Sequence, residues 1–216
     1  MDRLKLSKGI IAIGYGGTID TKNQTKISLV LANKLAKKEK VVFLNWNNYS
    51  RKLEKMITKL GIIKNEKLEI NTSIDYFGLS SFLNITELIE QRGFTTIFID
   101  NIFSYTLNEL KSFEERNLLI KSFRFITERY SIRIVFNIKI ESDVFYNSYI
   151  ADENTAELGY FNWCRKIITD CEQVIAIQNI EGCVNGETDE QYQQNTFKIF
   201  DLKNENDETK NYLIKL

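Results

Sequence analysis

The sequence predicts an α/β fold of three layers, with a mostly parallel central sheet and an antiparallel C-terminal β region. Three observations predict it. Short, nearly continuous apolar runs recur at Gly9–Ile13, Val41–Leu44, Thr95–Ile99, Ile132–Ile138 and Val174–Ile177, the pattern of strands buried on both faces. Between the first four of them lie segments whose apolar residues fall at helical spacing, so strands and helices alternate as in a parallel sheet. After Val174 that alternation stops, and Thr196–Leu202 and Tyr212–Leu216 follow as strands that pair antiparallel.

Each element has a local reason. Gly9 opens a β-rich run that ends in the polar, glycine-bearing stretch Gly14-Tyr15-Gly16-Gly17, and Ile27, Val30, Leu31 and Leu35 then mark a helix. Val41–Leu44 stops at the polar cluster Asn45-Trp46-Asn47-Asn48, a strand end of the kind that faces ligands in open α/β sheets. Arg51–Leu60 carries Leu53, Met56, Ile57 and Leu60 on one helical face and is closed by Gly61. Leu68-Glu69-Ile70 alternates as a strand, and Ser80–Arg92 reads as a helix packing Leu83, Ile85, Leu88 and Ile89, with Gly93 as its cap. Thr95–Asp100 is an apolar β run that ends in a carboxylate. Leu107–Tyr130 is patterned as a helix around the charged stretch Lys111–Arg116, and Glu157–Ile168 as a partly helical segment.

Composition narrows the chemistry. At 216 residues, with no linker-like stretch, the chain is expected to form one domain over 1–216. Lysine plus arginine and aspartate plus glutamate both number 29, so no overall basic field marks a nucleic-acid binder, and any DNA contact must be local. The absence of histidine removes imidazole acid/base chemistry and histidine metal ligation. Cys164, Cys171 and Cys183 form no C-x-x-C pair and follow no secretory signal, which is the pattern of reduced thiols in a cytoplasmic protein. No apolar stretch reaches the roughly 18 residues of a membrane span, so no membrane partner is expected. Of the carboxylates, Glu114-Glu115 and Asp207-Glu208 read as solvated faces or turns, Asp152-Glu153 as residues of a helix start, and Asp170 shows no partner in the sequence.

The segment Gly9–Ala36 is laid out as a strand, loop and helix N-terminus, where backbone N–H groups and the helix dipole converge on one point. A phosphate loop adds G-x-x-x-x-G-K-[ST] to that geometry, and here the pattern is broken in both registers. Counting from the helix, Asn23-Gln24-Thr25 stands where Gly-Lys-Thr belongs; counting from Gly16, the same offset falls on Thr21-Lys22-Asn23. The helix register is preferred, because apolar periodicity starts at Ile27, and Lys22 or Lys26 remains available to supply charge. The candidate nucleotide-binding set is Gly16, Gly17, Lys22, Asn23, Gln24, Thr25 and Lys26. Set against it is an ordinary β-α turn that binds nothing.

The order of these features resembles the motor domain of hexameric replicative helicases of the DnaB type, within the RecA-like P-loop family. The resemblance rests on Gly9–Ala36, on Leu68-Glu69-Ile70-Asn71-Thr72 before a helix, on Ile97-Phe98-Ile99-Asp100 as a Walker B strand, on Leu119–Ile138, and on Phe197–Leu216 as a terminal hairpin. It implies a RecA-like three-layer domain, Thr25 and Asp100 as magnesium ligands, and a role in DNA replication or other DNA metabolism, including that of a phage or mobile element. It also implies that chemistry has been lost. The family's catalytic glutamate falls on Asn47, its γ-phosphate-sensing glutamine on Lys139, and its inter-subunit lysine and arginine finger on Lys203 and Glu205. An amide is a poor general base, and a carboxylate in place of an arginine finger repels phosphate.

The leading expectation is a catalytically impaired pseudo-ATPase that acts as an accessory or assembly protein, with Mg-ATP bound weakly if at all. Self-association or a helicase-like partner protein is expected, and DNA binding follows from the resemblance alone. A divergent ATPase that uses Lys22 or Lys26 with Asp100 is the first alternative. The second is a nucleotide-independent interaction module presenting Phe103, Tyr105, Phe145, Tyr146 and Tyr149 to a protein or to single-stranded bases.

Overall fold

The computed structural model describes residues 4–16, 21–45, 50–71, 79–100, 113–139, 170–179, 196–203 and 210–215. Eight strands form one sheet in the order β3-β2-β4-β5-β1-β6-β7-β8. They are β1 (Gly9–Gly16), β2 (Val41–Asn45), β3 (Leu68–Asn71), β4 (Thr96–Asp100), β5 (Arg133–Lys139), β6 (Gln173–Asn179), β7 (Thr196–Lys203) and β8 (Lys210–Lys215). The pairings from β3 through β6 are all parallel. The pairs β6–β7 and β7–β8 are antiparallel, with a register shift between Val174 and Ile175.

Burial on both faces explains why the strands read as unbroken apolar runs. Ile10, Ala12, Val42, Leu44, Ile97, Ile99, Ile134 and Phe136 point to one face, where they meet Ile85 and Ile89 of α3 (Leu79–Glu90) and Ile120, Phe123 and Ile126 of α4 (Phe113–Tyr130). Ile11, Ile13, Val41, Phe43, Phe98 and Val135 point to the other, against Ile27 and Leu31 of α1 (Thr21–Leu35) and Leu53 and Ile57 of α2 (Ser50–Lys59). Phe43 and Phe98, partners across β2 and β4, stack with centroids 6.2 Å apart.

Helix ends follow the expected glycine chemistry. Gly61 and Gly93 have φ of +61° and +70°, the left-handed conformation that lets the chain leave a helix, and Ile62 and Phe94 donate back to Ile57 and Leu88. Two expectations need correction. Leu83 does not pack into the core with Ile85 and Ile89 but stands 62% exposed, because α3 buries a single stripe and Leu83 falls off it. Asp170 is partnered, since Arg124 on α4 reaches it at 3.5 Å across a sequence gap that no local pattern reveals.

The N-terminal edge of the sheet is tied down by polar groups. Arg133 donates to the carbonyls of Leu6 and Ser7 and forms an ion pair with Glu39, and Gln173 accepts from Ser7 N–H while donating to Lys5 carbonyl and to Asp201. Those contacts fix the chain before β1 and leave the opposite, C-terminal edge to the candidate site. Cys171 is a buried cysteine in no disulfide; Cys164, Cys183 and the expected helix at Glu157–Ile168 lie outside the described residues. Among the described residues no helix is long and apolar enough to cross a membrane.

Candidate functional site

The site forms where the parallel strands end beneath the start of α1. The chain leaves β1 for β2 on one side, while β6 lies on the other, so β1 sits at a switch in strand order, the place where open α/β sheets bind ligands. Strand parity sends Tyr15, Asn45, Asp100 and Asn137 to the face covered by α1, and α1 supplies Gln24, Thr25 and Ser28 from its first two turns. All of them are buried, and Asn45 stands opposite Asp100 in the β2–β4 register.

Hydrogen bonds order the group around the Asp100 carboxylate. Thr25 Oγ1 donates to Asp100 Oδ2 at 2.6 Å, and Asn137 Nδ2 donates to Asp100 Oδ1 at 2.6 Å. Ser28 Oγ donates to Asn137 Oδ1 at 2.9 Å and lies 2.9 Å from the Tyr15 hydroxyl. Ser28 has one proton and spends it on Asn137, so Tyr15 must be the donor to Ser28. The chain of donors therefore runs Tyr15, Ser28, Asn137, Asp100, with Thr25 closing it from the other side.

Electrostatics follow from burial. Loss of solvent pushes the Asp100 carboxyl up to about 6, against a partial downward pull from Thr25 and Asn137. At neutral pH the group is still mostly a carboxylate. Burial raises the Tyr15 phenol far above its ordinary range, opposed by the Ser28 hydrogen bond and reinforced by the Asp100 charge, so it stays a neutral donor. Thr25 Oγ1 and the Asp100 oxygens are hard donors of the kind that hold magnesium together with phosphate oxygens and water. Among the described residues no group of three or more acidic or thiol side chains could hold a metal by itself.

Gln24 differs from its neighbours. It is 4% exposed, and its Nε2 has no hydrogen-bond partner, the one such buried side-chain atom among the described residues.

Of the residues singled out in the sequence, Thr25 and Asp100 are brought into contact. Gln24 and Lys26 flank Thr25 on α1, Gly16 ends β1, Lys139 ends β5 and Lys203 ends β7. Lys22 and Asn23 lie on the first turn of α1, with side chains outside the described part, and Gly17, Asn47 and Glu205 lie outside the described residues, as do Phe103, Tyr105, Phe145, Tyr146 and Tyr149. Tyr15, Ser28 and Asn137 were not anticipated. Asn137 carried a signal, a polar residue inside an apolar strand run, and Ser28 another, three residues after Thr25 on the buried side of a helix.

No protein-family model matches the sequence, and no curated protein does. Solved structures do match, 209 chains in all, and a shape so widely shared selects no activity. One is a KaiC-like protein from the hyperthermophilic archaeon Pyrococcus horikoshii, 17% identical, with a TM-score of 0.60 over 95% of this chain and 85% of that one. With the parallel strand order and the β1–α1 geometry above, that likeness makes the fold of this chain RecA-like.

Proposed function

We propose that the chain is a RecA-like pseudo-ATPase, impaired in phosphoryl transfer, that serves as an accessory or assembly protein in DNA metabolism. The observation that carries the reading is the state of the α1 start. Thr25 and Asp100 keep the cation half of a nucleotide site, while the neutral Gln24 is buried beside them at the position of the phosphate-gripping lysine. Catalysis of phosphoryl transfer is mainly charge stabilisation, so an amide in place of the ammonium removes much of the driving term. Asn47 and Glu205, aligned with the catalytic glutamate and the arginine finger, weaken it further. The assignment to DNA metabolism is supported by the resemblance to replicative helicase motor domains.

The test is ATP turnover in magnesium, with and without single-stranded DNA. No turnover above an Asp100→Ala control is the expected result. Turnover that disappears in Asp100→Ala and in Lys22→Ala or Lys26→Ala would overturn the reading in favour of a divergent ATPase. Salt-dependent binding of a labelled single strand checks the DNA assignment, and no binding at low salt removes it.

A further inference from the structure

We infer that the outer surface of α3 and α4 is a self-association face, on which two copies of this chain pair about a two-fold axis parallel to the helices, α3 of each lying against α4 of the other. The inference goes beyond the function proposed above and does not rest on it, because α1 and its candidate site cover the opposite face of the sheet.

The first observation is where exposed apolar side chains gather. Four large ones are exposed among the described residues, and three of them, Leu83 at 62%, Leu118 at 66% and Phe125 at 58%, lie on these two helices. α3 leads from β3 to β4 and α4 from β4 to β5, all parallel strands, so both helices run in the same direction over one side of the sheet. Tyr130 at the end of α4 donates to Glu90 at the end of α3, which sets those ends level. Counting back two turns brings Leu83 level with Phe123, and hence between Leu118 and Phe125 along the neighbouring helix. Each helix is already anchored by another stripe, Ile85 and Ile89 on α3 and Ile120, Phe123 and Ile126 on α4, so the exposed three form a second apolar surface turned away from the sheet.

Charge selects what covers that surface. The exposed charges of the described part of α3 are Glu87 and Glu90, and the helix holds no lysine or arginine. The described part of α4 presents Lys121, Arg124 and Arg129, and its Glu128 is paired with Arg124. A second copy turned about an axis across the helices would set acid on acid and base on base. An axis parallel to them sets the acidic helix of each copy on the basic helix of the other, the self-complementary arrangement of a two-fold interface. In that register Leu83 enters a hole framed by Leu118, Lys121, Ser122 and Phe125 of the other copy, spaced as i, i+3, i+4 and i+7, and Glu87 comes beside Arg129 one turn on. The 18 residues of α4 span about 27 Å, and with α3 about 8–10 Å away the face covers roughly 500 Å² per copy. A total of about 1,000 Å² is the small end of specific interfaces, so the dimer should be weak, with a Kd of about 10–100 µM, and dilute protein should be monomeric.

The experiment is sedimentation of the full chain from about 5 µM to about 500 µM, a range that brackets that Kd. Wild type is compared with Phe125→Asp, Glu87→Arg and the double variant Glu87→Arg/Arg129→Glu, with melting temperatures taken in dilute solution. Wild type should pass from monomer to dimer across the range. Phe125→Asp should weaken the dimer about tenfold or more, because it places a charge in the apolar centre, and Glu87→Arg about threefold, with most of that loss recovered in the double variant. Wild type that stays monomeric throughout, or a dimer that Phe125→Asp leaves intact, overturns the inference and leaves the face to a different protein. A loss in Glu87→Arg that Arg129→Glu does not recover overturns the pairing of α3 with α4. Leu83→Asp replaces Phe125→Asp if that variant melts below wild type in dilute solution. ATP turnover, which tests the proposed function, bears on none of these outcomes, so the two fail separately.

Discussion

Replacing Asp100 with asparagine should make the protein more stable at neutral pH. Burial raises the folded-state pKa of Asp100 from 3.8 to about 6, so the folded protein binds that proton more tightly than the unfolded chain does. The stability linked to this proton is fully present below pH 3.8 and is lost as pH rises through about 6. Above that window the carboxylate costs the fold about 3 kcal/mol, taking about 1.4 kcal/mol for each pH unit between the two values. Asparagine has no charge to desolvate and fits the same partners. Its Oδ1 can accept from Asn137 Nδ2, and its Nδ2 can donate to Thr25 Oγ1 once that hydroxyl turns. Urea unfolding of wild type and Asp100→Asn in EDTA, where no cation neutralises the carboxylate, should show a small gap at pH 4. The gap should widen to about 3 kcal/mol at pH 8, or about 6–12 °C in melting temperature for a chain of this size. A gap that does not change with pH, or an Asp100→Asn variant less stable than wild type at pH 8, would refute the account of Asp100 as a desolvated carboxylate.

Removing the Thr25 hydroxyl acts in the opposite direction: Thr25→Val should cost about 1.5–3 kcal/mol at pH 8 by stripping a donor from a buried charge, and most of that cost should vanish in an Asp100→Asn background, as a double-mutant cycle would read. Phe123 is wholly buried between α4 and the sheet, so Phe123→Ala should lose about 3–5 kcal/mol in urea unfolding, whereas Phe125→Ala, two residues on and 58% exposed, should stay within about 0.5 kcal/mol of wild type. Gly9 sits at φ +93° with Glu172 Oε2 2.5 Å from where a Cβ would stand, so Gly9→Ala should lower stability by about 1–2 kcal/mol, and Glu172→Ala should recover only the steric share of that loss, the backbone share remaining.

The fold was legible because its physics is local. A strand covered on both faces must be apolar at consecutive positions, and Val41-Val42-Phe43-Leu44 and Thr96-Ile97-Phe98-Ile99 announce themselves in that way. Gly61 and Gly93 mark helix ends because only glycine takes their φ without strain. The candidate site was half legible for the same reason. Thr25 and Asp100 terminate patterns that can be counted along the chain, but the donors behind them cannot be counted. Asn137 reaches Asp100 only because β5 runs beside β4, and Ser28 reaches Asn137 only because α1 crosses over β5, a relation between residues 109 apart in sequence. Leu83 and Asp170 were misread on similar grounds. Which of two apolar stripes α3 buries, and which cation meets an acidic turn, are decided by neighbours distant in the chain.

The two halves of the site differ in what the fold requires of them. An asparagine at position 100 would preserve the hydrogen bonds without the desolvation cost, so packing does not explain the carboxylate. A leucine or methionine at position 24 would bury the same space without an orphaned donor, so packing does not explain the glutamine either. Buried groups that a fold would be more stable without are where ligands are found. Asp100 lacks a positive partner among its hydrogen-bonding neighbours, and Gln24 lacks an acceptor. Gln24 lies next to Thr25 on α1, and Thr25 bonds Asp100 at the end of β4; on the proposed reading a magnesium-bound phosphate would supply both the cation and the acceptor. On the function proposed above, an amide where transfer chemistry wants an ammonium favours holding a phosphate over cleaving it.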